Sequence, residues 1–193
     1  MKVTETTLPG LLLIEPEVFG DARGYFLECF NADRYARAGI AGPFVQDNLS
    51  RSSRGVLRGL HYQNPHQQGK LVTVLDGEVF DVAVDLRARS TTLGRWYGAR
   101  LSSENKRQLY VPPGFAHGFL VMSDAALFAY KCTEYYRPDC ERVLRWNDPD
   151  IGIEWPFDPM GMSERDRTAP ILRDSGDVNG LPPGAGDTPA NAS

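Results

Sequence analysis

Cysteine and histidine are both scarce in this chain, three of each among 193 residues. The odd number of cysteines (Cys29, Cys132, Cys140) and the lack of CxxC spacing argue against a disulfide framework and a thiolate zinc site; reduced, mostly buried thiols in a cytosolic protein are the expectation. No apolar run is long enough to span a membrane. The first, Leu11 to Ile14, is broken by Glu15 and Pro16 and follows a segment with a single lysine, which is not the layout of a signal peptide. Runs of lysine or arginine are missing too, and the net charge is −4, so a nucleic-acid partner is not indicated. A local cationic pocket on an acidic surface can still take a small anion.

What is present is a succession of short β-type runs punctuated by Gly, Pro, Asn and Asp. They fall at 11–15, 24–30, 45–51, 55–62, 70–75, 78–86, 96–101, 107–111, 118–122, 126–133 and 142–146. Asp76-Gly77, between two apolar runs, is a hairpin signal, because Gly supplies positive φ at little cost. In 78–86, Phe80, Val82 and Val84 alternate with Asp81 and Asp85, as in a strand with one buried face. One helix is expected, with Asn31 as N-cap, 32–38 as its body and Gly39 as its end; a second helical turn is expected to start at Ser163. Many short strands with few helices describe a β-sandwich, jelly roll or small barrel. A chain of 193 residues, 41% of them hydrophobic, suits a single core, here residues 1–173. From about residue 174 the sequence turns Gly/Pro/Ala/Asp-rich without apolar periodicity, which predicts a flexible tail over 174–193.

The stretch GVLRGLHYQNPHQQGK (55–70) holds Arg58, His61 and Lys70 within thirteen positions, together with two of the three histidines. A fixed cation, a side chain that ordinarily titrates near neutral pH and a lysine are what proton abstraction on an anionic substrate requires. A strand histidine by itself is more often structural than catalytic, but Arg58, Lys70 and a further histidine, His117 in VPPGFAHGF, shift that balance. Strict alternation puts Arg58 and His61 on opposite faces. A bulge at Gly59 would turn both to one side, and a regular strand there would count against the reading. Arg23, in the turn DARG, adds charge that with Arg58 and Lys70 could hold a diphosphate. Gln46, Asp47 and Asn48 offer polar groups to a base or sugar edge, or form a polar turn; Tyr130 reads by default as a core tyrosine.

Pro112-x-Gly114-x-x-His117 resembles the second motif of the cupins, a jelly-roll superfamily, and GLHYQNPHQQGKL loosely resembles the first. Metal-binding cupins usually supply an HxH pair plus a carboxylate there. This chain has His61-Tyr62-Gln63, and Lys70 falls near the expected acidic ligand. A lysine ammonium repels a divalent cation and is no ligand, so no metal is expected. His66, in the polar loop NPHQQ, is expected at the surface.

The segments FGDARGYFLECF, FVQDNLSRSSRGVLRGLHYQ, QGKLVTVLDGEVFDVAVDLR, LYVPPGFAHGFLVMSD, YKCTEYYRPDCERVLRWNDPDIGIEWP and MSERDRTAP resemble the dTDP-4-dehydrorhamnose 3,5-epimerase family, in unbroken order from about residue 3 to 173. The resemblance implies an all-β, cupin-type jelly roll (double-stranded β-helix) with a few short helices, acting as a cytoplasmic homodimer without metal or organic cofactor. It implies inversion of C3 and C5 in a dTDP-4-keto-6-deoxy sugar, whose ketone makes both neighbouring C–H bonds acidic. On that pattern His61 matches the base, Asp166 the carboxylate that orients it, Tyr130 the acid and Lys70 the stabiliser of the enolate oxygen. Arg23, Glu28, Gln46, Asp47, Asn48, Arg58, His117, Glu141 and Arg165 match nucleotide or sugar contacts. Thr73, where many members carry a basic residue, and His66 depart from the pattern. The family shades into enzymes that invert only C3 or only C5. A metal-dependent cupin enzyme and a non-catalytic sugar-nucleotide-binding module are the alternatives outside it; the latter expects His61, Lys70 or Tyr130 to be missing, and none is.

Overall fold

The structure, a computed structural model, describes residues 1–40, 42–176 and the backbone of 190–191. One six-stranded sheet contains β1 (Lys2–Glu5), β2 (Leu12–Glu15), β5 (Gln46–Ser53), β7 (Lys70–Asp76), β10 (Gln108–Val111) and β12 (Ala125–Cys132), in the order β1-β2-β10-β7-β12-β5. The other contains β6 (Leu57–Gln63), β8 (Glu78–Asp85), β9 (Trp96–Ser102), β11 (Phe115–Val121), β13 (Glu141–Val143) and β14 (Ala190–Asn191), in the order β13-β6-β11-β8-β9-β14. From β5 to β13 the chain passes repeatedly from one sheet to the other, with only β8 and β9 consecutive in one sheet. This is the winding of a double-stranded β-helix, the jelly roll expected. A separate hairpin, β3 (Val18–Asp21) with β4 (Gly24–Leu27), stands apart from both sheets.

The core lies between the sheets, where Leu13, Val72, Val74 and Phe128 of the first meet Val79, Ala83 and Phe119 of the second. A further layer forms behind the second sheet: Phe80, Val82 and Val84 pack under Leu144, Ile151, Trp155 and Leu172 of the C-terminal segment. Strand β8 is therefore buried on both faces, and Asp81 and Asp85, expected on a solvated face, have no exposed surface. Its apolar side is the outer one, covered by later chain, and its aspartate side turns inward.

Helix α1 (Ala32–Arg37) forms as expected: Asn31 Oδ1 accepts the Arg34 N–H at 3.1 Å, and Gly39 follows at φ +82°. Tyr35 anchors it against Leu12, Ile14, Leu71 and Tyr110 on the outside of the first sheet. Asp76-Gly77 does not close a hairpin, because β7 and β8 belong to different sheets. Gly77 (φ +78°) instead turns the corner between them, where a Cβ would lie 2.1 Å from the Ala125 carbonyl oxygen. The tail over 174–193 falls largely outside the described residues; Ala190 and Asn191 pair in parallel with Tyr97 and Gly98.

Candidate active site

The bulge sits where the glycine predicts it. On β11, His117 and Phe119 face His61 and Arg58 of β6, so two steps along one strand span three along the other. Gly59, at φ +132°, lies in that irregularity, and a Cβ there would come within 2.6 Å of Gly118 Cα and 2.9 Å of the His117 carbonyl oxygen. Arg58 and His61 consequently face one cavity of about 210 Å³, shared with Ser50, Lys70, His117, Phe119, Phe128 and Tyr130. A neighbouring cavity of about 320 Å³ is lined by Gln46, Asn48, His61, Gln63, Lys70, Tyr130, Tyr136 and Glu141, among others. His61, Lys70 and Tyr130 border both, making them two chambers of one cleft between the sheets.

His61 Nε2 lies 2.7 Å from Asp166 Oδ1. The short helix α2 (Glu164–Arg167) delivers this carboxylate, and the Ser163 Oγ that caps the helix accepts the Asp166 N–H at 3.1 Å. Burial pushes the Asp166 carboxyl up, but hydrogen bonds from His61, Ser163 and the Gly59 N–H outweigh it and hold the group below the usual carboxylate range. An ionised Asp166 fixes the His61 ring by Nε2 and leaves Nδ1 for chemistry. Across the cleft, burial and the nearby Cys132 push the Tyr130 phenol up, with Arg58 pulling weakly the other way. Tyr130 thus keeps its proton, as a general acid must. Burial pushes Lys70 down while Cys132, Asp81 and Glu141 pull it back up. Its Nζ, 3.5 Å from the His61 carbonyl oxygen, makes only a long hydrogen bond there.

The mouth is held by polar contacts. Arg58 Nε donates to Ser52 Oγ at 3.0 Å. Gln46 Oε1 accepts the Tyr136 N–H at 2.8 Å, and Gln46 Nε2 donates to Asn48 Oδ1 at 3.0 Å. Tyr136 Oη donates to Glu141 Oε2 at 2.9 Å, and the same carboxylate ion-pairs with Arg165. Most of the expected site residues therefore converge: His61, Asp166, Tyr130, Lys70, Arg58, His117, Gln46, Asn48 and Glu141, with Arg165 at the rim.

Three do not. Asp47 points out of the cleft, its carboxylate 2.9 Å from Lys131 Nζ. Glu28 is tied to Arg34 and Asn31 beside α1. Arg23 sits at the tip of the β3–β4 hairpin, paired at 2.6 Å with Asp21, and borders a separate surface groove with Phe19, Tyr25 and Phe26. Thr73, too, lies away from the cleft, bonded to Gln108 on the outer side. His66 is exposed as expected, whereas of the cysteines only Cys132 is buried. Reading the sequence overlooked Asp81, which meets His117 Nε2 at 2.9 Å, and Gln63, whose amide joins the His66 carbonyl to the Arg137 N–H at the mouth. It also passed over Tyr136. Among the described residues no three His, Cys, Asp or Glu side chains gather as a metal ion would need.

The structure is a cupin-type jelly roll whose inner cleft sets a histidine–aspartate pair on one sheet against a tyrosine and a buried lysine on the other, the groups that acid–base chemistry would need. A family model described as dTDP-4-dehydrorhamnose 3,5-epimerase matches residues 5–174. The dTDP-4-dehydrorhamnose 3,5-epimerase of Pseudomonas aeruginosa is 54% identical over 177 residues, 91% of this chain and 98% of that one. A crystal structure of dTDP-6-deoxy-D-glucose-3,5-epimerase from Legionella pneumophila Philadelphia 1, in complex with dTDP-4-keto-L-rhamnose, superposes with a TM-score of 0.88 at 51% identity, covering 92% of this chain and 96% of that one. The dTDP-4-dehydrorhamnose 3-epimerase of Streptomyces niveus is 40% identical, over 94% of this chain and 89% of that one. The chain belongs to the dTDP-4-dehydrorhamnose 3,5-epimerase family, whose members are isomerases.

Proposed function

We propose that this chain inverts C3 and C5 of dTDP-4-dehydro-6-deoxy-D-glucose, giving dTDP-4-dehydro-L-rhamnose. His61 takes the proton from the carbon beside the C4 ketone, the C–H electron pair moves into an enolate, and Tyr130 returns a proton from the opposite wall. Lys70 donates to the enolate oxygen, where preorganised charge counts most; losing one such donor typically costs about 3 kcal/mol. The observation that carries this reading is the opposition of His61, anchored by Asp166 at 2.7 Å, and Tyr130 across a cleft that also holds Lys70. Arg58, His117, Gln46, Asn48, Glu141 and Arg165 line or rim the same space and are assigned to the sugar and diphosphate. The relatives at 54% identity are named 3,5-epimerases, whereas those named for C3 alone match at 40% and 35%, in a range that also holds a 3,5-epimerase at 39%; the higher identities favour double inversion.

Incubating the protein with the 4-keto sugar nucleotide in D₂O and reading deuterium by NMR tests this directly. Label at C3 and C5 is expected. Label at neither rejects the reading, and label at one alone makes the chain a mono-epimerase. His61→Ala should abolish exchange at both carbons while nucleotide binding persists.

The chain is further assigned as a cytoplasmic homodimer. The free thiols Cys29 and Cys140, neither fully buried, suit a reducing compartment. The hairpin exposes Phe19, Tyr25 and Phe26, and the first sheet exposes Leu49 and Leu75, a set that a second copy would cover. In that assembly Arg23 and Glu28 are assigned to the partner's cleft. Sedimentation of the unaltered protein against Phe26→Asp checks this: the variant should shift toward monomer and lose nucleotide affinity with it.

A further inference from the structure

Residues 134–137 run past the mouth of the cleft, carrying the chain from β12, which holds Tyr130, to β13, which holds Glu141. Residues 135–137 are exposed and belong to no helix or strand. Among the described residues, no main-chain to main-chain hydrogen bond reaches Glu134, Tyr135 or Tyr136. Three glutamine side chains hold this backbone instead. Gln68 Nε2 donates to the Glu134 carbonyl oxygen at 2.7 Å, and Gln46 Oε1 accepts the Tyr136 N–H at 2.8 Å. Gln63, only 4% exposed, uses both ends of its amide. Its Nε2 donates to the Tyr135 carbonyl at 3.2 Å and the His66 carbonyl at 2.7 Å, and its Oε1 accepts the Arg137 N–H at 2.7 Å. The two partners of Gln63 within the stretch are thus the residues on either side of Tyr136. No carboxylate or apolar side chain satisfies two carbonyls and an N–H together.

We propose that Gln63 is a positioning residue of this cleft: it brackets Tyr136 and sets that ring as a wall against which the sugar nucleotide lies. The proposal rests on the function assigned above, since it takes the sugar nucleotide as the occupant. Tyr136 borders the chamber of about 320 Å³ together with His61, Lys70 and Tyr130, and it is exposed there. An exposed tyrosine on a stretch without a ladder samples many orientations, and ordering it at each binding event costs affinity. Here the ring is fixed before the ligand arrives. Its backbone is held on both sides by Gln63 and at its own N–H by Gln46, and its Oη donates to Glu141 Oε2 at 2.9 Å. Glu141 is the register partner of Gln63, so one strand pair supplies both the bracket and the acceptor for the hydroxyl. Alternation puts Gln63 on the same strand face as His61, and both border that chamber. The strand that carries the base thereby also fixes where Tyr136 stands.

Isothermal titration with dTDP-glucose tests this, because that ligand carries the nucleotide and a hexose but no ketone and is not turned over. Gln63→Met keeps the length of the side chain and removes the amide. Its Kd for dTDP-glucose should rise about tenfold, the scale of one or two lost hydrogen bonds. In a Tyr136→Ala background there is no ring to place, and the same substitution should change Kd by less than about twofold. A mouth that is only loosened would weaken binding by the same factor in both backgrounds, and that result overturns the proposal. A Gln63→Met affinity within about twofold of the unaltered protein's overturns it as well. If Gln63→Met does not fold, Gln63→Asn keeps the amide but draws it back by one carbon. It must weaken binding about fivefold or more with the same dependence on Tyr136, and equal factors in the two backgrounds again overturn the proposal. Because the titration needs no turnover, a chain that binds dTDP-glucose but leaves the 4-keto sugar unexchanged in D₂O would reject the proposed function and still decide the role of Gln63.

Discussion

His61 and His117 are register partners on neighbouring strands, and each ring meets an aspartate through Nε2, at 2.7 and 2.9 Å. The two pairs are otherwise built differently. His61 keeps 35% of its side-chain surface exposed, toward the cleft, and its aspartate arrives on a helix 105 residues later in the chain. His117 is 7% exposed and its aspartate belongs to the adjacent strand, with no exposed surface at all. The first pair has a fixed back and an open front, which a proton-transferring base needs. The second borders the same cleft but is almost closed to water, with its aspartate wholly covered, a build suited to fixing direction. Two copies of one pairing, side by side in the same sheet, thus differ in how much of the ring is left open to water.

The largest effect on this comparison should come from Asp166→Asn. It keeps the shape of the open pair but removes the charge that orients and supports the His61 ring, and kcat should fall by about 10² to 10⁴ with little change in nucleotide affinity. A variant retaining most of its activity would place Asp166 among structural caps. Gly59→Ala attacks what brings the two histidines opposite each other. The added Cβ would sit 2.6 Å from Gly118 Cα at φ +132°, combining backbone strain with overpacking. A loss of about 3 kcal/mol in urea unfolding is expected, together with loss of activity. Full activity in that variant would show that the bulge is incidental. The smallest effect belongs to Asp85→Asn, on the same strand as Asp81 but outside the cleft. Losing the Arg87, Ser90 and Thr92 bonds should cost about 1–3 kcal/mol while kcat stays unchanged. Burial pushes Asp85 up, but those bonds outweigh it and hold the group below its ordinary value. Its contribution is therefore present above the unfolded carboxylate pKa of about 3.9 and lost as pH falls through the lower folded value. Unfolding followed from neutral to acid pH should accordingly be less pH-dependent in Asp85→Asn than in the unaltered protein, and an equal slope would contradict the assignment.

Much of this was legible in the chain. The alternating runs at 126–133 and 45–51 become β12 and β5, and the Asn31 and Ser163 caps hold helices where expected. The clearest case is Gly59, where a conflict between strand alternation and the chemistry of Arg58 and His61 pointed to the bulge. Other elements carry no local signal. Lys2–Glu5 is polar and short, and it is a strand only because β2 lies beside it. Asp76-Gly77 signals a tight change of direction, but whether the next strand pairs with the last or crosses to the other sheet depends on what else competes for those edges.

The amino-acid sequence by itself determined the chemical inventory, the strand content and the local devices, because these depend on residue type and near neighbours. Only the tertiary structure decided which side of each strand faces the cleft. Alternation along β8 separates Phe80, Val82 and Val84 from Asp81 and Asp85, yet it is the C-terminal layer over the apolar side that turns the aspartates inward. The same kind of decision turns Asp47 away from the cleft and leaves Arg23 on an outlying hairpin. A period of two distinguishes two faces of a strand; what covers each face is set by chain far away in sequence.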